Sequence, residues 1–100
     1  MNAISTVDSW LATHANAIAE RGVEVHQESR TESLAGIWLY CSKHLVDISV
    51  WNHAYCLDIL VLDADDGTQV FSRAGSCQTA EGVTQRLEEL WSWVIAEYPT

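Results

Sequence analysis

The stretch CSKHLVDISVWNHAYC, residues 41–56, carries two cysteines and two histidines in mirror order. Cys41 and His44 lie three apart, as do His53 and Cys56. C-x2-H followed by H-x2-C is a ligand set of the kind that holds zinc, which takes four Cys or His side chains in a tetrahedron. The same residues could also do nucleophilic chemistry, a cysteine being activated by a histidine base, although no local signature of such a site accompanies them. The acidic run Asp63-Ala64-Asp65-Asp66-Gly67 hints at calcium, but Gly67 falls where an EF-hand needs its third ligand and the terminal Glu is missing. The chain contains neither a glycine-rich phosphate loop nor a G-x-S-x-G elbow.

What these residues can do depends on the elements that position them. Over residues 5–21, Val7, Trp10, Leu11, His14 and Ile18 fall on one stripe of a 3.6-residue period, which predicts a helix. Ser5 or Thr6 can cap it, Asp8 suits its first turn, and Gly22 ends it. From Val23 the period becomes two. VEVHQ, then residues 36–42, 45–51, 55–63 and 68–74, read as strands rich in β-branched and aromatic residues. Asp66-Gly67 marks one hairpin turn, and Ser42-Lys43-His44 and Asn52-His53-Ala54 are polar enough for two more. Residues 79–97 return to helix, with Val83, Leu87, Leu90, Trp91, Val94 and Ile95 on one side, Thr79 as cap and Pro99 beyond the end. Residues 1–100 thus form a single α+β domain: an antiparallel four- to five-stranded meander with an N-terminal and a C-terminal helix on one face.

In that frame a strand of seven residues separates the half-motif at Cys41 and His44 from the one at His53 and Cys56. At ~3.3 Å per residue they stand roughly 20 Å apart, whereas zinc needs every ligand atom within ~2.3 Å. The chain is therefore expected to hold no zinc and no other cofactor, and to have no catalytic residues. Cys41, in phase with Ile37 and Leu39, reads as a small core residue, and His14 as a packed histidine on the first helix.

The strands sort into two faces. Pairing Cys41 with Val46, Leu39 with Ile48 and Ile37 with Val50, and then Val50 with Leu57, Ile48 with Ile59 and Val46 with Val61, gives an aliphatic face for the helices to cover. The opposite face carries Trp38, Tyr40, Asp47, Ser49, Trp51, Cys56, Asp58, Leu60 and Leu62, joined by Phe71 and Arg73 if the Asp-Gly turn keeps the simplest register. Aromatics interleaved with carboxylates have the composition of a recognition surface. Either this face is open, or the strand from residue 23, a loop or a second copy of the chain covers it.

Composition narrows the partners. The chain is 48% hydrophobic and 19% charged, as a folded globule is and a disordered tail is not. Five Lys+Arg against fourteen Asp+Glu give a net charge of −9, which excludes nucleic acid and anionic membrane as partners and permits a basic protein. Three cysteines with no signal-peptide pattern and no membrane-spanning apolar run suit reduced thiols in a cytoplasm.

One further pattern follows from the strands: D-I-S-V-W-x(4)-C-x-D-I-x-V-x-D-x-x-x-G over residues 47–67, between an N-terminal helix and a C-terminal helix ending in aromatics. From about Trp10 to Trp93 this arrangement resembles the TriTu family of immunity proteins, best at ISVW (48–51), Cys56, Asp58 and the LDADDG turn. The resemblance implies a small acidic bacterial protein that neutralises an ADP-ribosyltransferase toxin domain delivered between bacteria by a secretion system such as type VI. It implies binding without chemistry, so no catalytic residues carry over. The residues expected to meet the toxin are Trp38, Tyr40, Asp47, Trp51 and Asp58 of the mixed face, with Asp63, Asp65 and Asp66 of the turn. The protein is then a monomer or a homodimer when free. The alternative is an acidic secretion chaperone, which is dimeric alone and wraps an extended effector segment instead of a folded domain.

Overall fold

Alternation of apolar and polar residues from Glu24 to Arg73 builds five strands, and the two amphipathic ends of the chain build the helices that cover them. The computed structural model describes residues 2–100. In order these are α1 (Ala3–Glu20), β1 (Glu24–Arg30), β2 (Leu34–Tyr40), β3 (His44–Trp51), a 3-10 turn (His53–Tyr55), β4 (Cys56–Asp63), β5 (Gln69–Arg73) and α2 (Ala80–Glu97). The strands form one antiparallel sheet in the order β1-β2-β3-β4-β5, the meander expected of consecutive hairpins.

The buried side chains of the sheet lie on one face: Ala35, Ile37 and Leu39 of β2, Val46, Ile48 and Val50 of β3, and Leu57, Ile59 and Val61 of β4. Against them pack Ala3, Ile4, Val7, Trp10 and Ile18 of α1 and Val83, Leu87, Leu90 and Val94 of α2. Both helices therefore cover the same face. Trp10 ties them together, its indole N–H donating to Glu88 at 2.8 Å while its ring stacks on His14 at 4.0 Å. Tyr98 fastens the far end to the β2–β3 turn, its hydroxyl accepting from the Lys43 amide at 3.1 Å and hydrogen-bonding His44 Nδ1 at 2.5 Å. No helix of the described residues is long and apolar enough to cross a membrane.

Several details differ from the sequence reading. The cap of α1 is Asn2 in a capping box with Ser5, not Ser5 or Thr6, because the apolar stripe extends back to Ala3 and Ile4. Asp8 consequently lies beyond the first turn, and its carboxylate holds Arg30 of β1 through two bonds of 3.1 and 2.6 Å. The β2–β3 register is two residues off: Leu39 faces Val46, Ile37 faces Ile48 and Ala35 faces Val50. A tight turn at Ser42-Lys43, closed by the Cys41 amide donating to His44 O at 2.9 Å, lets Leu34 and Ala35 join the ladder. Because the slip is even, every side chain keeps its face. Cys41 loses its strand partner and sits half-buried at the turn, where burial still pushes its thiol up to about 11. The β3–β4 register is as expected.

The third difference changes faces. Leu62 pairs with Gln69 but Val61 with Phe71, so Val70 is an extra residue, a bulge. Every residue after it is turned over. Phe71 and Arg73 therefore stand on the helix side and not with Trp38, Phe71 near Trp93 at 6.3 Å and Arg73 Nε 3.6 Å from Glu89. The other edge strand, β1, has a bulge at Glu28, between Gln27 and Ser29.

Candidate functional site

Four rows of side chains cross the face opposite the helices, aligned by the strand register. Glu24, Tyr40, Leu45, Leu62 and Gln69 form the first row, and His26, Trp38, Asp47, Leu60 and Ser72 the second. Ser29, Gly36, Ser49 and Asp58 form the third, and Leu34, Trp51, Cys56 and Ser76 the fourth. β1 extends the sheet at its edge and does not lie over it. Trp38, Leu45, Trp51, Leu60 and Leu62 are all partly exposed, and Tyr40 is 40% exposed.

The two ends of this face are apolar and its waist is acidic. At one end Trp38 and Tyr40 lie near-parallel with ring centres 6.2 Å apart, and His26 meets Tyr40 edge-on at 4.6 Å. Rings held by one another lose little further freedom when a partner covers them. At the waist, burial pushes the Asp47 carboxyl above its usual range and the nearby Glu28 carboxylate adds to the effect. Asp58 accepts a hydrogen bond from the Gly75 amide at 2.9 Å, which anchors the loop after β5.

That loop and the β3–β4 connection wall a cavity of about 440 Å³ lined by Trp51, His53, Cys56, Asp58, Ala74 and Gly75. Next to it, Asp47, Ser49, Asp58, Ile59, Leu60, Ser72, Arg73 and Ala74 border a second hollow of about 280 Å³. Asp58 stands in both, so the two form one groove along β4. The walls are strained: Ala54 (φ 53°), Tyr55 (φ 50°) and Gln78 (φ 65°) hold left-handed backbone, at a cost of roughly 1–2 kcal/mol each. Hydrogen bonds between the two loops fix them there. The Cys77 amide donates to Tyr55 O at 3.0 Å, the Gln78 amide to Ala54 O at 3.3 Å, and Arg86 donates to Leu57 O and Gly75 O at 2.8 and 2.9 Å.

Arg73 borders the second hollow, and the chain's other cations line neither. Arg30 is held by Asp8, Arg73 lies beside Glu89, Arg86 bonds backbone carbonyls, Arg21 lies over the Trp91 ring at 5.1 Å, and Lys43 is in the β2–β3 turn. None of the five lies in the four rows, which carry Glu24, Asp47 and Asp58.

Of the residues expected to bind, Trp38, Tyr40, Asp47, Trp51 and Asp58 share the open face. Asp63, Asp65 and Asp66 do not. Asp63 pairs with His44 on the helix side, and its carboxylate accepts from the Asp65 and Asp66 amides at 2.8 and 3.2 Å. Asp66 accepts from the Thr68 amide at 2.8 Å, and hydrogen bonding to Thr68 holds its carboxyl below the usual range. Two of these three acids shape their own turn. Sequence reasoning missed Leu45, readable from the alternation of β3, and Leu34 and His26, which depend on where β2 and β1 start. It also missed the cavity walls at His53, Ala74 and Gly75, which no local pattern marks. The zinc-like half-motifs stand at opposite ends of the eight-residue β3, roughly 25 Å apart. Among the described residues no three His, Cys, Asp or Glu side chains converge on a point. Comparison of the chain with protein-family models, with curated proteins and with solved structures gives no match.

Proposed function

We propose that this protein is a binding inhibitor, an immunity protein that docks its open sheet face onto a folded bacterial toxin domain and blocks it without chemistry. One observation carries the reading: a sheet covered on one side only, whose bare side presents Trp38, Tyr40 and Trp51 around Asp47 and Asp58. Aromatic anchors around a desolvated centre are what makes protein interfaces strong. The molecule measures 33 × 27 × 22 Å, so one face is of the order of the ~800 Å² per partner that a stable complex buries. The net charge of −9 suits a partner with a basic cleft, as an ADP-ribosyltransferase needs for its dianionic dinucleotide. The resemblance at ISVW, Cys56 and Asp58 favours the same class of target, met in the cytoplasm. A folded target also fits the edges of the sheet, since bulges at Glu28 and Val70 disfavour the strand addition by which an extended segment would be held.

The test is to express the protein with an ADP-ribosyltransferase toxin domain sought among the genes beside its own. Stoichiometric inhibition of transferase activity by the wild type, weakened in Trp38→Ala and Trp51→Ala, is the expected result. Inhibition at full strength by both variants would move the interface to the acidic outer side of α2, at Glu81, Glu88 and Glu89. A dimer that binds only unfolded effector segments would replace inhibitor with chaperone.

A further inference from the structure

We propose that the cavity beside Trp51 is an arginine socket: it receives one arginine side chain of the partner, the guanidinium lying against the Trp51 ring and hydrogen-bonded to the Asp58 carboxylate. This deepens the docking reading and rests on it for the identity of the partner. At about 440 Å³ the cavity is large enough for a single long side chain. Its mainly apolar wall joins the Trp51 ring to one carboxylate, Asp58. A carboxylate offers about four hydrogen-bonding positions, and the Gly75 amide uses one on Asp58. The walls are set beforehand, since the left-handed residues of both loops are locked by the bonds between Cys77 and Tyr55 and between Gln78 and Ala54.

Charge argues for a cation supplied from outside. Asp47 and Asp58 share the groove, and Arg73, the cation at its border, is drawn to the helix side by Phe71 and Glu89. The Val70 bulge is the reason: without it Arg73 would face the same side as Asp58, and with it Arg73 lies over Phe71 at 4.4 Å and beside Glu89. Arginine is favoured over lysine because a planar guanidinium stacks on an indole and bonds a carboxylate through two N–H groups at once, whereas an ammonium is a strongly hydrated point charge.

The probe is N-acetyl-arginine methylamide, titrated into the free protein and followed by the Trp51 indole N–H resonance, assigned with Trp51→Phe. A saturable shift is expected, with the uncharged citrulline analogue on the order of tenfold weaker. Asp58→Asn keeps an oxygen for the Gly75 amide and should weaken the arginine probe by a similar factor at an unchanged melting temperature. A non-saturable shift, equal binding of citrulline, or indifference to Asp58→Asn overturns the socket. The two readings fail separately. If Asp58→Asn loses the arginine probe yet inhibits the toxin at full strength while Trp38→Ala and Trp51→Ala do not, the docking reading stands and the partner's arginine is not in the socket. If the face variants lose the toxin while the arginine probe never binds, the socket alone falls.

Discussion

Trp51 sits beside Leu34 and Cys56 at one end of the open face, partly exposed, so a binding role and a folding role can be separated by experiment. Trp51→Ala should weaken toxin binding by about 2 kcal/mol or more, as loss of an aromatic anchor seated in a pocket does. Leu39→Ala, which empties a buried site on the helix side, should instead cost about 2–5 kcal/mol of stability. Binding titrations and thermal melts of both variants check this, and a Trp51→Ala protein that melts like the core variant makes that tryptophan structural. Asp47 gives a prediction in pH. Its folded carboxyl is raised above the unfolded value, by burial first and Glu28 second, so the stability it contributes is complete below the unfolded pKa and is lost as pH rises through the folded one. Ionised Asp47 is thus a burden at neutral pH. Asp47→Asn should melt above the wild type at pH 7, and the gap should close as pH falls below the ordinary carboxylate range. A gap that persists in acid assigns the gain to something other than charge.

The start of α2 shows how an element is fixed by one close approach. Thr79 caps the helix by accepting from the Gly82 amide at 3.0 Å, and Gly82 passes directly under the preceding loop. A Cβ there would lie 2.5 Å from the Cys77 carbonyl oxygen, which already accepts from the Thr79 amide at 2.8 Å. Alanine is ordinarily about 1 kcal/mol better than glycine inside a helix. Here Gly82→Ala should lower the melting temperature, by an overpacking cost of about 1–3 kcal/mol; a variant at least as stable as the wild type would mean that the loop yields. Elements of this kind were legible to different depths. The helices, the strands and the aliphatic face follow from period alone, and the four residues between Trp51 and Cys56 fix the β3–β4 register. The β2–β3 slip was hidden because Cys41 and Leu39 are equally acceptable opposite Val46 by hydropathy, and turn geometry decides between them. The Val70 bulge was hidden because TQVFSR alternates equally well with or without an extra residue. The site was legible where it rests on alternation, at Trp38, Tyr40, Asp47, Trp51 and Asp58. It was not legible where it rests on two loops meeting from distant parts of the chain.

Over the whole molecule, charge is unevenly placed. Arg30, Arg73 and Arg86 are engaged on the helix side or by loop carbonyls, while Asp47 and Asp58 of the open face have no ion pair to any of them. Association with a basic target should therefore be steered. Its rate constant should fall as salt rises past ~0.1 M, where screening acts over about 10 Å, while dissociation changes less. Stopped-flow association at increasing ionic strength tests this, and a flat rate removes steering from the account. The same asymmetry has a mutational consequence. Changing the sign of this face by substitution means placing a new basic side chain on it, residue by residue. Deleting Ser72 would do it in one step, by moving Arg73 from opposite Ile59 to opposite Leu60, on the open face, while Phe71 keeps its place opposite Val61. Partner choice in relatives built on this sheet could thus turn on single-codon insertions and deletions in β5, a class of variation that a scan of point substitutions never samples.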